Sequence, residues 1–173
     1  MPVSLEEFGI VSGGFIRKLD SRNHWYPEMG DNDPRKRANL VSARIFNDPD
    51  NTYSLWLVNS SEDFMGVVVA LVANATPQDR NLDFLWITEQ ELQQAGIQLK
   101  NIPEGKCLAV KDNHYEAQIS QDQAKKLCLL LIENSRDSQR CKKKDTICII
   151  DYYKSLGCYA LVPNSQKCDC EIS

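Results

Sequence analysis

The stretch Ala38–Val58, "ANLVSARIFNDPDNTYSLWLV", decides how the first half of the chain is read. Leu40, Ser42, Arg44 and Phe46 alternate with Val41, Ala43 and Ile45, a period of two that suits a half-solvated strand. "NDPDN" is turn chemistry, because Asn and Asp bond their own backbone and proline presets φ. "TYSLWLV" adds a second run rich in aromatic and aliphatic residues. Together these predict a β-hairpin with a five-residue loop.

Upstream, "FGIVSGGFIRKLD" reads as a strand with a bend at Gly13-Gly14. The 17-residue polar segment Ser21–Arg37, "SRNHWYPEMGDNDPRKR", follows it and reads as a long loop of functional length. Downstream, "SEDF" has the composition of a helix start, yet Gly66 and three consecutive valines favour a buried strand over Met65–Ala73. "LDFLWIT" is a further strand. Thr88 and Glu91 form a capping box, which predicts a helix over Glu89–Ala95 stopped by Gly96. "IQLKNI", "CLAVK" and "EAQI" read as short antiparallel strands. Ser120 and Gln123 form a second box, and Ala124, Leu127, Cys128 and Leu131 recur at helical spacing, predicting a helix over Gln121–Glu133. The charged loop Asn134–Asp145 precedes "TICIIDYY", a strand or short helix, and the strand-like "CYALV"; residues 163–173 read as a loosely held tail.

The expectation is a single α+β domain over 1–173: a β-rich, antiparallel, strongly curved sheet or partial barrel with about two helices. Its 173 residues suffice for one core. A net charge of −4 sets up no strong field toward nucleic acid or membrane. The longest apolar run, Val67–Ala73, is far short of the roughly 20 residues that span a bilayer. The first residues lack the charged and apolar regions of a secretory signal, so a cytoplasmic, soluble protein is expected.

The seven cysteines are uneven: the first 106 residues hold none and the last 33 hold five, making the C-terminus cysteine-rich. In a reducing cytosol they are expected to be free, metal-bound or redox-active rather than paired. Intervals of seven, ten, ten and two from Cys141 to Cys170 do not match paired zinc ligands. No metal or cofactor is therefore expected. Cys148 and Cys158 lie in apolar text and read as small core residues. Arg140 and Lys142 flank Cys141 and are expected to favour its thiolate, so Cys141, Cys168 and Cys170 are the candidate reactive thiols.

Nucleotide-binding glycine loops, the nucleophile elbow and the zinc-protease helix motif are all missing from the chain. His24 and His114 both sit in predicted loops, where an unremarkable turn residue outweighs an acid, base or ligand. "EMGDNDP" and "NDPDN" lack the spacing of a calcium loop. What remains are two basic runs, Arg35, Lys36 and Arg37, then Arg136, Arg140, Lys142, Lys143 and Lys144, together with His24, Trp25 and Tyr26. These point to a small intracellular, non-enzymatic binding or regulatory module presenting two polar loops to a protein partner. A nucleic-acid partner for the same cations is the first alternative, and a thiol- or metal-dependent enzyme the second.

Overall fold

Six of the seven residues of Leu82–Thr88 are buried, so this strand shows neither a wet face nor an alternating pattern. Successive side chains point to opposite faces of a sheet, and a strand buried throughout must be covered on both. The structure, a computed structural model, describes residues 3–157 apart from 31, 74, 76, 78, 79 and 105–107, with 108 and 109 described by backbone alone. Its strands are β1 (Gly14–Leu19), β2 (Thr52–Val58), β3 (Leu82–Thr88), β4 (Lys100–Asn101), β5 (His114–Gln118) and β6 (Gln139–Cys141). They form one six-stranded sheet in the order β4-β5-β2-β1-β3-β6, with every neighbouring pair antiparallel. The order is linear, so the sheet is open rather than closed into a barrel, with β4 and β6 at its edges.

Five α-helices occur among the described residues: α1 (Pro34–Ile45), α2 (Ser61–Val72), α3 (Glu89–Gln94), α4 (Gln121–Glu133) and α5 (Lys143–Ser155). One face of the sheet buries Ile16, Trp56, Val58, Phe84 and Trp86 against α2 and α5. The other buries Phe15, Tyr53, Leu55, Leu85 and Ile87 against α1, α3 and α4. The result is three layers of mixed α+β structure, with helices on both faces of an antiparallel sheet.

Two expected strands are helices. The hairpin predicted over Ala38–Val58 is the body of α1 followed by β2. Asp33 caps α1 by accepting from the Arg35 amide at 2.9 Å, and Pro34 fills the first helical position, where its missing N–H costs nothing. Ala38, Val41, Ser42 and Ile45 are the buried residues, a spacing of three and four rather than two. The strand predicted over Met65–Ala73 belongs to α2, whose Ser60 cap accepts from the Asp63 amide at 3.1 Å. Phe64 to Val69 are all buried, because α2 is enclosed nearly all round, and this removes the periodicity that would have marked it as helical. A Cβ at Gly66 would lie 2.5 Å from a Val110 methyl, so the glycine serves the close approach of α2 to the 3-10 helix Leu108–Asn113. That 3-10 helix replaces most of the strand predicted at "CLAVK", and α5 occupies "TICIIDYY".

Both capping boxes form as expected. Glu91 accepts from the Thr88 amide at 2.8 Å while Thr88 accepts from the Glu91 amide at 3.1 Å, and Gly96 leaves α3 with φ of 76°. Ser120 and Gln123 do the same for α4 at 2.9 and 3.2 Å. The predicted strand "CYALV" and the tail 163–173 lie outside the described residues.

Candidate functional site

The two polar loops singled out in the sequence meet in space. The first leaves β1 through a 3-10 turn at Arg22–His24, where Ser21 accepts from the Asn23 amide at 3.2 Å. The second runs from the end of α4 into β6. Two hydrogen bonds join them across 111 positions of chain: the Trp25 indole N–H donates to the Arg136 carbonyl at 3.0 Å, and the Tyr26 hydroxyl donates to Asp137 at 2.9 Å.

Trp25 was expected at a partner surface; it is instead 0% exposed and belongs to the core with Ala38, Val41 and Ile45. Its ring is apolar enough to fill that space while its single donor finds a carbonyl, the usual arrangement for a buried indole. Tyr26 stays at the surface, 38% exposed. The Arg22 and Arg37 guanidinium carbons each lie 5.5 Å from the Tyr26 ring centroid, and Arg37 also donates to the Trp25 carbonyl at 2.9 Å. Beside them a cleft of about 320 Å³ is lined by Tyr26, Pro27, Met29, Asn32, Pro34 and Ile132 along with Arg37.

Behind this face stand two ion pairs that the sequence reading did not anticipate. Arg140 grips Asp83 with two nitrogens at 2.6 and 2.9 Å, and the Arg22 amide donates to the same carboxylate at 2.9 Å. Burial by itself raises the Asp83 pKa, but the Arg140 and Arg22 hydrogen bonds and charges hold it below its ordinary value. Arg136 donates to Glu91 at 2.8 Å and Asn134 to the same oxygen at 3.0 Å. Here too burial raises the carboxyl, and the Thr88 amide with Arg136 and Asn134 bring it below the ordinary value. Asp83 offered one signal in sequence: a carboxylate inside the apolar strand "LDFLWIT" requires a partner.

The remaining predicted residues fall in different places. His24 is half-buried on its 3-10 turn, and Arg35 and Lys36 are exposed on the first turn of α1. Lys142 precedes α5, and Lys143 and Lys144 begin it, with the Lys143 amide donating to Asn81 at 2.8 Å. Because α1 and α5 pack on opposite faces of the sheet, the two basic runs start from different layers.

Cys141 corrects another expectation. Its thiol is buried, 3.5 Å from the Thr146 hydroxyl, and burial pushes its pKa up to about 11. The flanking cations do not act on it as sequence adjacency suggests: Arg140 is taken by Asp83, and Lys142 is exposed. Burial likewise pushes Cys128 up to about 12. Cys148, expected in the core, is exposed. Cys168 and Cys170 lie outside the described residues.

Among the described residues, one group of histidine and carboxylates lies close enough to share an ion, namely Glu104, His114 and Glu116. It sits at the β4–β5 edge, opposite the joined loops. No helix among the described residues is long and apolar enough to cross a membrane. No protein-family model, no curated protein and no solved structure matches the chain.

Proposed function

We propose that the chain is a small intracellular, non-enzymatic binding module that engages an acidic surface of a protein partner through its joined loops. The observation that carries this is Tyr26, exposed yet tethered to Asp137 and flanked by two guanidiniums. Tyrosine and arginine are the residues that concentrate binding energy at interfaces. Side chains already held in place lose less entropy on docking, so the tether raises the yield of each contact. The described cysteines are all unpaired, which suits a reducing compartment.

The test is affinity capture with the full chain, comparing wild type with Tyr26→Ala, Arg22→Ala and the double change Arg35→Ala, Lys36→Ala. Loss of the same partner in the first two variants, with the fold retained by circular dichroism, is the expected result. An identical set of partners across all variants excludes this face.

A nucleic-acid partner is the second reading, favoured by the placement of the consecutive cations Lys142 to Lys144 at the amino end of α5, where the helix dipole adds positive potential. It requires affinity that falls steeply with salt and a slope reduced by neutralising these lysines. A salt-independent isotherm removes it.

A further inference from the structure

We propose that Glu104, His114 and Glu116 form a binding site for a divalent ion of the zinc class. His114 opens β5 and is 4% exposed, with its ring centroid 4.7 Å from that of Trp56. Its Nδ1 lies 2.8 Å from the Ile102 carbonyl oxygen. A carbonyl only accepts, so Nδ1 carries a proton, which leaves Nε2 as the ring nitrogen open to a metal ion. A backbone carbonyl holding one ring nitrogen is the contact that orients metal-bound histidines. Nε2 itself has no hydrogen-bond partner among the described residues.

Glu116 stands two positions along β5 and so emerges on the same side of the strand as His114. Glu104 follows β4, where its amide donates to the Lys111 carbonyl at 3.2 Å. One ligand atom from each of the three residues lies within 4.8 Å of the others. Neither glutamate forms an ion pair with a described lysine or arginine. Lys100 lies opposite Glu116 in the β4–β5 register without forming an ion pair with it, so the two converging carboxylates still repel each other, and a bound ion converts that repulsion into attraction.

The donor set, one imidazole nitrogen and carboxylate oxygens, suits zinc at about 2.0–2.2 Å per bond. A tetrahedron of that size places ligand atoms about 3.3 Å apart, so the group must contract. Glu104 is exposed and can rotate inward, whereas His114 is fixed by its carbonyl and by Trp56. Three protein ligands leave a fourth position for water, the arrangement of open zinc sites. A cleft of about 510 Å³ bordered by Leu99, Ile102, Glu116 and Gln118 adjoins the group. The site is independent of the joined-loop face.

The seven cysteines offer zinc a softer alternative, so the test must report on His114 itself. The reduced full chain is titrated with zinc chloride by calorimetry, and the His114 ring nitrogens are followed by NMR. One equivalent is expected to shift the Nε2 resonance, and Glu104→Gln and Glu116→Gln are each expected to weaken the affinity read there by at least about tenfold. Both variants change side chains that are not fully buried, so the fold survives. Zinc uptake with an unmoved His114 ring assigns the metal to thiols and overturns the site, as does wild-type affinity in both glutamine variants.

Discussion

The two ends of the sheet hold similar side chains in opposite states. Near β6, Asp83 and Glu91 are buried, and each is matched by an arginine with further amide donors. Near β4 and β5, Glu104 and Glu116 converge on His114, and neither forms an ion pair among the described residues although Lys100 lies opposite Glu116. At the first end each carboxylate has its arginine, so these charges hold together the elements from which Tyr26 is presented. At the second end neither carboxylate has an ion-pair partner among the described residues, which is what the proposed ion would supply. The same residue types serve structure or recognition according to whether the fold itself supplies the counter-charge.

The contrast breaks most visibly at Glu91. Glu91→Ala leaves Arg136, Asn134 and the Thr88 amide without their shared acceptor, and should lower unfolding stability by about 3 kcal/mol in urea titrations. A loss under about 1 kcal/mol, the range of exposed ion pairs, means this end is no more than surface electrostatics. Asp83→Asn keeps the shape but removes the charge opposite the partly exposed Arg140, and about 1–2 kcal/mol is expected.

Both carboxyls have folded pKa values below their ordinary ones, so their contribution is complete above the unfolded carboxylate range near pH 4. It declines as pH falls through that range toward the folded values. Asp83→Asn should therefore flatten the acid limb of a stability–pH curve, and a parallel shift of the whole curve contradicts the assignment.

Tyr26→Phe removes only the exposed bond to Asp137 and should cost about 0.5–1 kcal/mol, while thermal melts stay cooperative. At the other end, Glu116→Gln without metal should lie within about 0.5 kcal/mol of wild type, since no partner is lost. A cost equal to that of Asp83→Asn shows that both ends are internally balanced, and the contrast disappears.

How much of this was legible depended on the range of each interaction. Helices α3 and α4 were readable because their boxes close within four residues of chain. The start of α1 carried an equally local signal, Asp33-Pro34, but it lay inside a polar segment read as loop, while the alternating residues beyond it imitated a strand. Helix α2 was opaque for another reason: a helix buried nearly all round has no polar face to set its period, and its valines then argue for β structure. The loops were recognisable as unusual, although the bond from Trp25 to Arg136 that makes them one face spans 111 positions.

By itself, the sequence determined the mixed α+β class, two capped helices, the strands around Phe15, Leu55 and Leu85, and the basic and aromatic character of the loops. Each of these follows from neighbours within a few residues or from composition. Tertiary structure alone decided that the sheet stays open between two helical layers and that Trp25 and Cys141 are core rather than surface. It alone also brought Glu104 to His114 and Glu116. Those outcomes depend on what covers a residue and which distant charge reaches it, and a side chain's chemistry in isolation carries neither.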